Sequence, residues 1–178
     1  MKFLEIVKKR QSVRNYKQQP VPREIIERCA EAARLAPSAC NSQPWKFIIV
    51  DEPEKKDELA MAAFSGVYSI CKFVKRAPVI VVVVTEKMSY AARVGAFLKN
   101  IQYSLIDIGI ASEHFVLQAA EEGVGTCMIG WFSERRVKKV LGLPKTANVD
   151  LLISMGYPET DEQREKIRKS IDEIREYF

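Results

Sequence analysis

Arg10-Gln11-Ser12-Val13-Arg14 places two guanidinium groups and a hydroxyl within five residues. Guanidinium grips a phosphate through two parallel N–H donors, so this stretch has the chemistry of a phosphate site. A solvated helix end would carry the same residues, and taken alone that is the commoner meaning of such a cluster. A second stretch, Pro37-Ser38-Ala39-Cys40-Asn41-Ser42-Gln43-Pro44-Trp45, combines small side chains that let a ligand approach the backbone with hydroxyl and amide groups to bond it. Its two prolines keep it out of regular structure. A third, Gly123 to Trp131, is rich in glycine. It does not follow the dinucleotide fingerprint, whose glycines leave a strand and open a helix. Here they leave a helix, and a helix stop plus a turn accounts for them.

The elements that must hold these stretches follow from periodicity. Phe3, Leu4, Ile6 and Val7 form one face of a short helix delivering Arg10. Pro22 suits the first turn of a helix in which Ile25, Ile26, Cys29, Ala32 and Ala33 recur, and its small residues permit close approach to a neighbour. Lys46 to Val50 reads as a strand, and Pro53 opens a helix through Leu59 and Ala62. Residues 64–76 show no clean period. Val79 to Val84 is β-branched throughout, which predicts a strand buried on both faces at the centre of the sheet. The connection from Thr85 to Lys99 has no strong pattern, and from Ile101 a long core helix runs to Gly123 through Leu105, Ile108, Ser112, Phe115 and Ala119. Asp107 and His114 lie on it, and a lone helix histidine is expected to be structural. Ser133 starts a short helix ended by Gly142, Asp150 to Met155 is another buried strand, and periodicity makes Asp161 to Phe178 a surface helix.

Composition excludes several classes of function. The net charge of +5, from 28 basic and 23 acidic residues, favours anionic ligands but is modest for a nucleic-acid binder, and no aromatic-studded basic stripe accompanies it. The four dispersed cysteines and one histidine lack metal-site spacing and fit reduced thiols in a cytosol. No Gly-x-Ser-x-Gly elbow supports acyl transfer. No apolar run resembles a signal peptide or a membrane span. The length of 178 residues fits one domain, 1–178.

Together, Arg10 to Arg14, Pro37 to Trp45, Gly123 to Trp131 and the late Lys166-Ile167-Arg168 resemble, in order, the recurring segments of the nitroreductase family of flavin mononucleotide (FMN) enzymes. The resemblance implies an α+β fold: a central, mostly antiparallel sheet flanked by helices around a long core helix. It also implies a domain-swapped homodimer with C-terminal arm exchange, so that the first half of the tail is extended rather than helical. Arg10, Ser12 and Arg168 would lie at the FMN phosphate, Arg14 and Lys166 near the N1/O2 edge of the ring, and Gln11 would be a further cofactor-binding residue. Pro37, Ser38, Ala39 and Asn41 would reach it from the other subunit. Ile129, Gly130 and Trp131 would pass beside the ring, with a main-chain N–H at N5.

The implied activity moves hydride from NADH or NADPH through flavin N5 to a nitroaromatic, quinone or similar electrophile by a ping-pong cycle, with no protein acid or base required. Other flavin chemistry, such as reductive dehalogenation or flavin fragmentation, and a flavin-binding redox sensor without turnover are the alternatives. A basic nucleic-acid binder ranks last. Three positions depart from the family pattern: Gln11 replaces a frequent Arg or His, Ser69 stands for a pyrimidine-contacting Asn, and the connection from Thr85 to Lys99 is short.

Overall fold

The computed structural model describes residues 2–86 and 100–178. Most of the Thr85–Lys99 connection therefore lies outside the described residues. Four strands, β1 (Trp45–Val50), β2 (Val79–Thr85), β3 (Gly125–Ile129) and β4 (Asn148–Gly156), form a sheet in the order β1-β2-β4-β3. Every neighbouring pair is antiparallel. Among the described residues the α-helices are α1 (Phe3–Lys9), α2 (Arg23–Arg34), α3 (Pro53–Ala63), α4 (Tyr103–Glu121) and α5 (Glu134–Leu141).

β2 shows why its sequence is apolar at every position. Successive side chains in a strand point to opposite faces, and both faces of this one are covered. Val79, Val81 and Val83 pack beneath α2 and α4 with Phe115 and Ala111. Ile80, Val82 and Val84 pack on the other side with Leu59, Phe64, Val74 and Val137. Each such side chain contributes about 1.5–3 kcal/mol by leaving water. The small face of α2 lets α4 come close: Cys29, Ala33 and Ala36 are buried against it, and His114 Nδ1 meets the Ala32 carbonyl at 3.2 Å. The histidine is structural, as its isolation predicts.

One segment without a period takes a definite form, and one with a helical period does not form its helix. Residues Gly66–Arg76 form a run of 3₁₀ turns broken at Cys71. Residues 161–170 have no regular structure, and only Ile171–Glu173 makes a 3₁₀ turn, opened by the Ser170–Glu173 capping box. The surface helix is absent because its apolar points, Ile167, Ile171 and Ile174, are 90%, 57% and 67% exposed. Without a packed face a short charged helix has little to stabilise it.

The chain from Ser12 to Lys17 is a strap along the sheet. The Val13 N–H donates to the Thr126 carbonyl at 2.9 Å, and the Lys17 N–H to the Tyr157 carbonyl at 2.9 Å. Between them Tyr16 is buried, its hydroxyl 2.7 Å from both the Val13 carbonyl and Ser154 Oγ. Gly125 makes this approach possible, since a Cβ there would stand 2.6 Å from Val13 Cγ2. Gly125→Ala should cost about 1–3 kcal/mol, read as a lower urea midpoint, because overpacking must displace the strap. Burial also pushes the Cys29 thiol up to about 12 and the Tyr16 hydroxyl well above its ordinary value, the latter partly offset by Ser154. A thiol raised on folding holds its proton when the unfolded chain has lost it, so stability should fall as pH rises from about 9 toward 12. Urea titrations at pH 7, 9 and 10.5 should show this slope, and Cys29→Ala should flatten it by up to about 1.4 kcal/mol per pH unit.

Candidate functional site

The end of α1 and the strap bring cations from both halves of the chain to one place. After α1 the backbone turns extended at Arg10, whose N–H still donates to the Ile6 carbonyl at 2.8 Å. The Lys166 ammonium caps the same helix end, donating to the Val7 carbonyl at 2.6 Å and to the Arg10 carbonyl. Arg164 donates through its guanidinium to the Ser12 carbonyl, and through its main-chain N–H to Gln11 Oε1 at 3.2 Å. Gln11 Nε2 in turn donates to the Glu162 carbonyl at 2.8 Å. An open cleft of about 300 Å³ results, lined by Arg10, Ser12, Arg14, Arg164, Lys166 and Arg168.

Like charge accumulates there. Burial, then Arg10 and then Arg168, hold the Lys166 ammonium below its ordinary pKa, with Glu113 opposing them. Glu113 lies 3.4 Å from Arg10, yet the Arg10 Nε is buried with no hydrogen-bond partner among the described residues. Arg168 donates to the neighbouring Ile167 carbonyl at 2.7 Å. A cleft lined by five cations suits a dianion such as a phosphomonoester, which would relieve the repulsion.

Arg14 leads from the cleft to a second wall. Its guanidinium lies 5.9 Å from the centre of the Phe73 ring, on the 3₁₀ run that also carries the half-buried Ser69. Burial raises the Cys127 thiol on β3, while Arg14 and the Ser12 hydroxyl pull it the other way. At the far end of β3, Ile129 is buried and Gly130 and Trp131 are exposed. The Trp131 indole N–H donates to the Val67 carbonyl at 3.1 Å, and its ring is 5.2 Å from that of Tyr68. A Cβ on Gly130 would meet nothing within 4 Å, so this glycine is not demanded by packing within the chain. Open space beside a main-chain amide is what a close-lying planar ligand needs.

The loop before β1 is built differently. Cys40, Asn41 and Gln43 have φ of 51°, 50° and 45°, the left-handed region that costs a non-glycine residue about 1–3 kcal/mol. Ser38 Oγ accepts the Gln43 N–H at 2.9 Å and Asn41 Oδ1 accepts Gln43 Nε2 at 3.0 Å, closing the turn on itself. The Ala39 N–H donates to Asp107 Oδ1 on α4 at 3.1 Å. Asp107 and Glu113 are six residues apart on that helix, about 9 Å along its axis and about 120° around it. The loop and the cation cleft therefore address different sides of α4, and within one chain Pro37, Ser38, Ala39 and Asn41 stand apart from Arg10, Gln11, Ser12, Arg14, Lys166 and Arg168.

Sequence reasoning passed over Arg164, Phe73, Asp107 and Glu113. Arg164 carried a signal, because Arg164, Lys166 and Arg168 alternate as one side of an extended segment would. Among the described residues no group of acids, cysteines and histidine could hold a metal ion, and no helix is long and apolar enough to cross a membrane.

An antiparallel sheet covered on both faces by packed helices and turns defines an α+β fold. The family is recognisable directly. The nitroreductase family model matches residues 7–70 and 65–157, and the chain belongs to that family. A solved nitroreductase family protein from Streptococcus pneumoniae TIGR4 superposes with a TM-score of 0.83 at 28% identity, over 99% of this chain and 100% of that one. An FMN-dependent nitroreductase from Clostridium difficile R20291 gives 0.72 at 28% identity, over 96% and 93%. A Thermus thermophilus NADH dehydrogenase is 29% identical over 176 residues, 84% of this chain and 83% of its own length.

The cleft makes a prediction independent of any cofactor. Inorganic phosphate at ten times its dissociation constant should stabilise the protein by about 1.4 kcal/mol, a rise in Tm of about 3–6 °C. Chloride at equal ionic strength should not reproduce the shift, and Arg10→Ala or Arg168→Ala should abolish it.

Proposed function

We propose that the chain is an FMN-dependent NAD(P)H oxidoreductase whose sites are completed in a homodimer. The observation that carries the reading is the convergence of Arg10, Ser12 and Arg14 with Lys166 and Arg168, more than 150 residues later, around one cleft. The FMN-dependent relative and the NADH dehydrogenase relative support it from outside.

Arg10, Ser12 and Arg168 hold the phosphate, with Gln11 and Arg164 joining the strap to the tail beside them. Lys166 uses two of its donors on α1 carbonyls and keeps its charge and third donor for the ligand. Arg14, held over Phe73, faces the ring edge where negative charge develops on reduction, and its cation favours that state. Ile129, Gly130 and Trp131 line the ring, the Gly130 main chain approaching most closely. Bound flavin supplies the hydride chemistry between a nicotinamide and an electrophilic acceptor, which use the cleft in turn. Pro37, Ser38, Ala39 and Asn41, which address another side of α4 in their own chain, serve the site of a second copy. The extended tail at 161–170 is available for arm exchange between copies.

An absorbance titration of the apoprotein with FMN, followed anaerobically by NADH and NADPH, tests this. Flavin should bind and its visible bands should bleach with at least one nucleotide, and quinone, nitroaromatic and halophenol acceptors should be compared for reoxidation. Arg168→Ala should raise the FMN dissociation constant about 10- to 100-fold, the loss of a charge-assisted hydrogen bond. Binding without bleaching would mean a flavin sensor, and no binding would end the flavin reading.

A further inference from the structure

We propose that Asp107 is the positioning residue that sets the Pro37–Trp45 loop for its ligand, a role that rests on the flavin reading above. Asp107 is 3% exposed, at an inward position of α4 beside Ile108 and Ala111. Oδ1 accepts the Ala39 N–H at 3.1 Å, whereas Oδ2 is buried with no hydrogen-bond partner among the described residues. Keeping a carboxylate with an empty oxygen in such a place is unfavourable, and an apolar residue would pack there without that cost. The position is held for its acceptor.

The end of the loop is held by β1 and by the Glu86 N–H, which donates to the Pro44 carbonyl at 3.0 Å, and the bond to Asp107 holds its start. Ser38 O, Ser38 Oγ, Ala39 O and Asn41 Oδ1 accept donors from Asn41, Gln43, Ser42 and Gln43 respectively, so they shape the turn without orienting it on the molecule. The bond to Asp107 joins Ala39 to α4 immediately before the left-handed Cys40 and Asn41. Rotation of the Ala39 peptide would swing both residues, and with them the Asn41 amide that the loop presents outward. Nothing in the packing of α4 otherwise calls for an acid at 107.

The test removes the bond from each side. Asp107→Ala deletes the acceptor, Asp107→Asn keeps an oxygen in its place, and Ala39→Pro deletes the donor. Proline suits position 39 because Ser38, at φ −147° and ψ 156°, already has the extended conformation required before it. The readouts are FMN affinity, visible circular dichroism of the bound flavin, and exchange of the Ala39 amide by NMR. Asp107→Ala and Ala39→Pro should each weaken FMN binding about tenfold or more and alter the flavin dichroism, while Asp107→Asn recovers affinity to within about threefold of wild type. The Ala39 amide should be protected in wild type and exposed in Asp107→Ala. Wild-type affinity in both Asp107→Ala and Ala39→Pro, equal loss in Asp107→Asn and Asp107→Ala, or an unprotected Ala39 amide in wild type would overturn the proposal. Should Asp107→Ala fail to fold, Ala39→Pro decides. Failure of the wild type to bind FMN would defeat the flavin reading instead, and amide exchange would still judge the tie to Asp107.

Discussion

A lysine ammonium shared between two carbonyls at the end of a seven-residue helix ties the start of the chain to its last fifteen residues. The tie works against electrostatics, because it buries Lys166 and draws it toward Arg10 and Arg168, and so lowers its affinity for a proton. Backbone carbonyls at a helix end carry partial negative charge and lack intrahelical donors, so they suit a cation better than most neutral surfaces do. The same arrangement gathers five cations around one cleft, held there by backbone carbonyls rather than by acids alone.

The sheet makes this gathering possible. β2 is buried on both faces, and the two cores it separates leave the edge strand β3 to receive the strap. Gly125 removes the side chain that would keep Val13 away, and Tyr16 anchors the strap to Ser154 inside. Packing on α4 then divides the labour, with Glu113 beside the cations and Asp107 beneath the strained loop.

Much of the frame was legible in residue order, because local physics determined it. The valine run at 79–84 had to be a buried strand, the 3.6-residue period after Ile101 had to be a helix, and Gly142 ended α5 in the left-handed conformation expected of it. The cation set could be assembled through family resemblance, since its members are too far apart for spacing to join them. Two things escaped the residue pattern alone. The tail imitates a helix by period, and only the family resemblance gave its first half as extended; its isoleucines stand exposed among the described residues, a fact that lives in tertiary structure. Asp107 looked like an ordinary helix residue because its partner, a main-chain N–H, leaves no mark in residue type.

Joining distant ends has a temporal side. α1 and the strap are made at the start of the chain, whereas β4 completes the sheet only at Gly156, shortly before Arg164, Lys166 and Arg168. A product broken off before position 164 would keep both cores and lose three of the five cations.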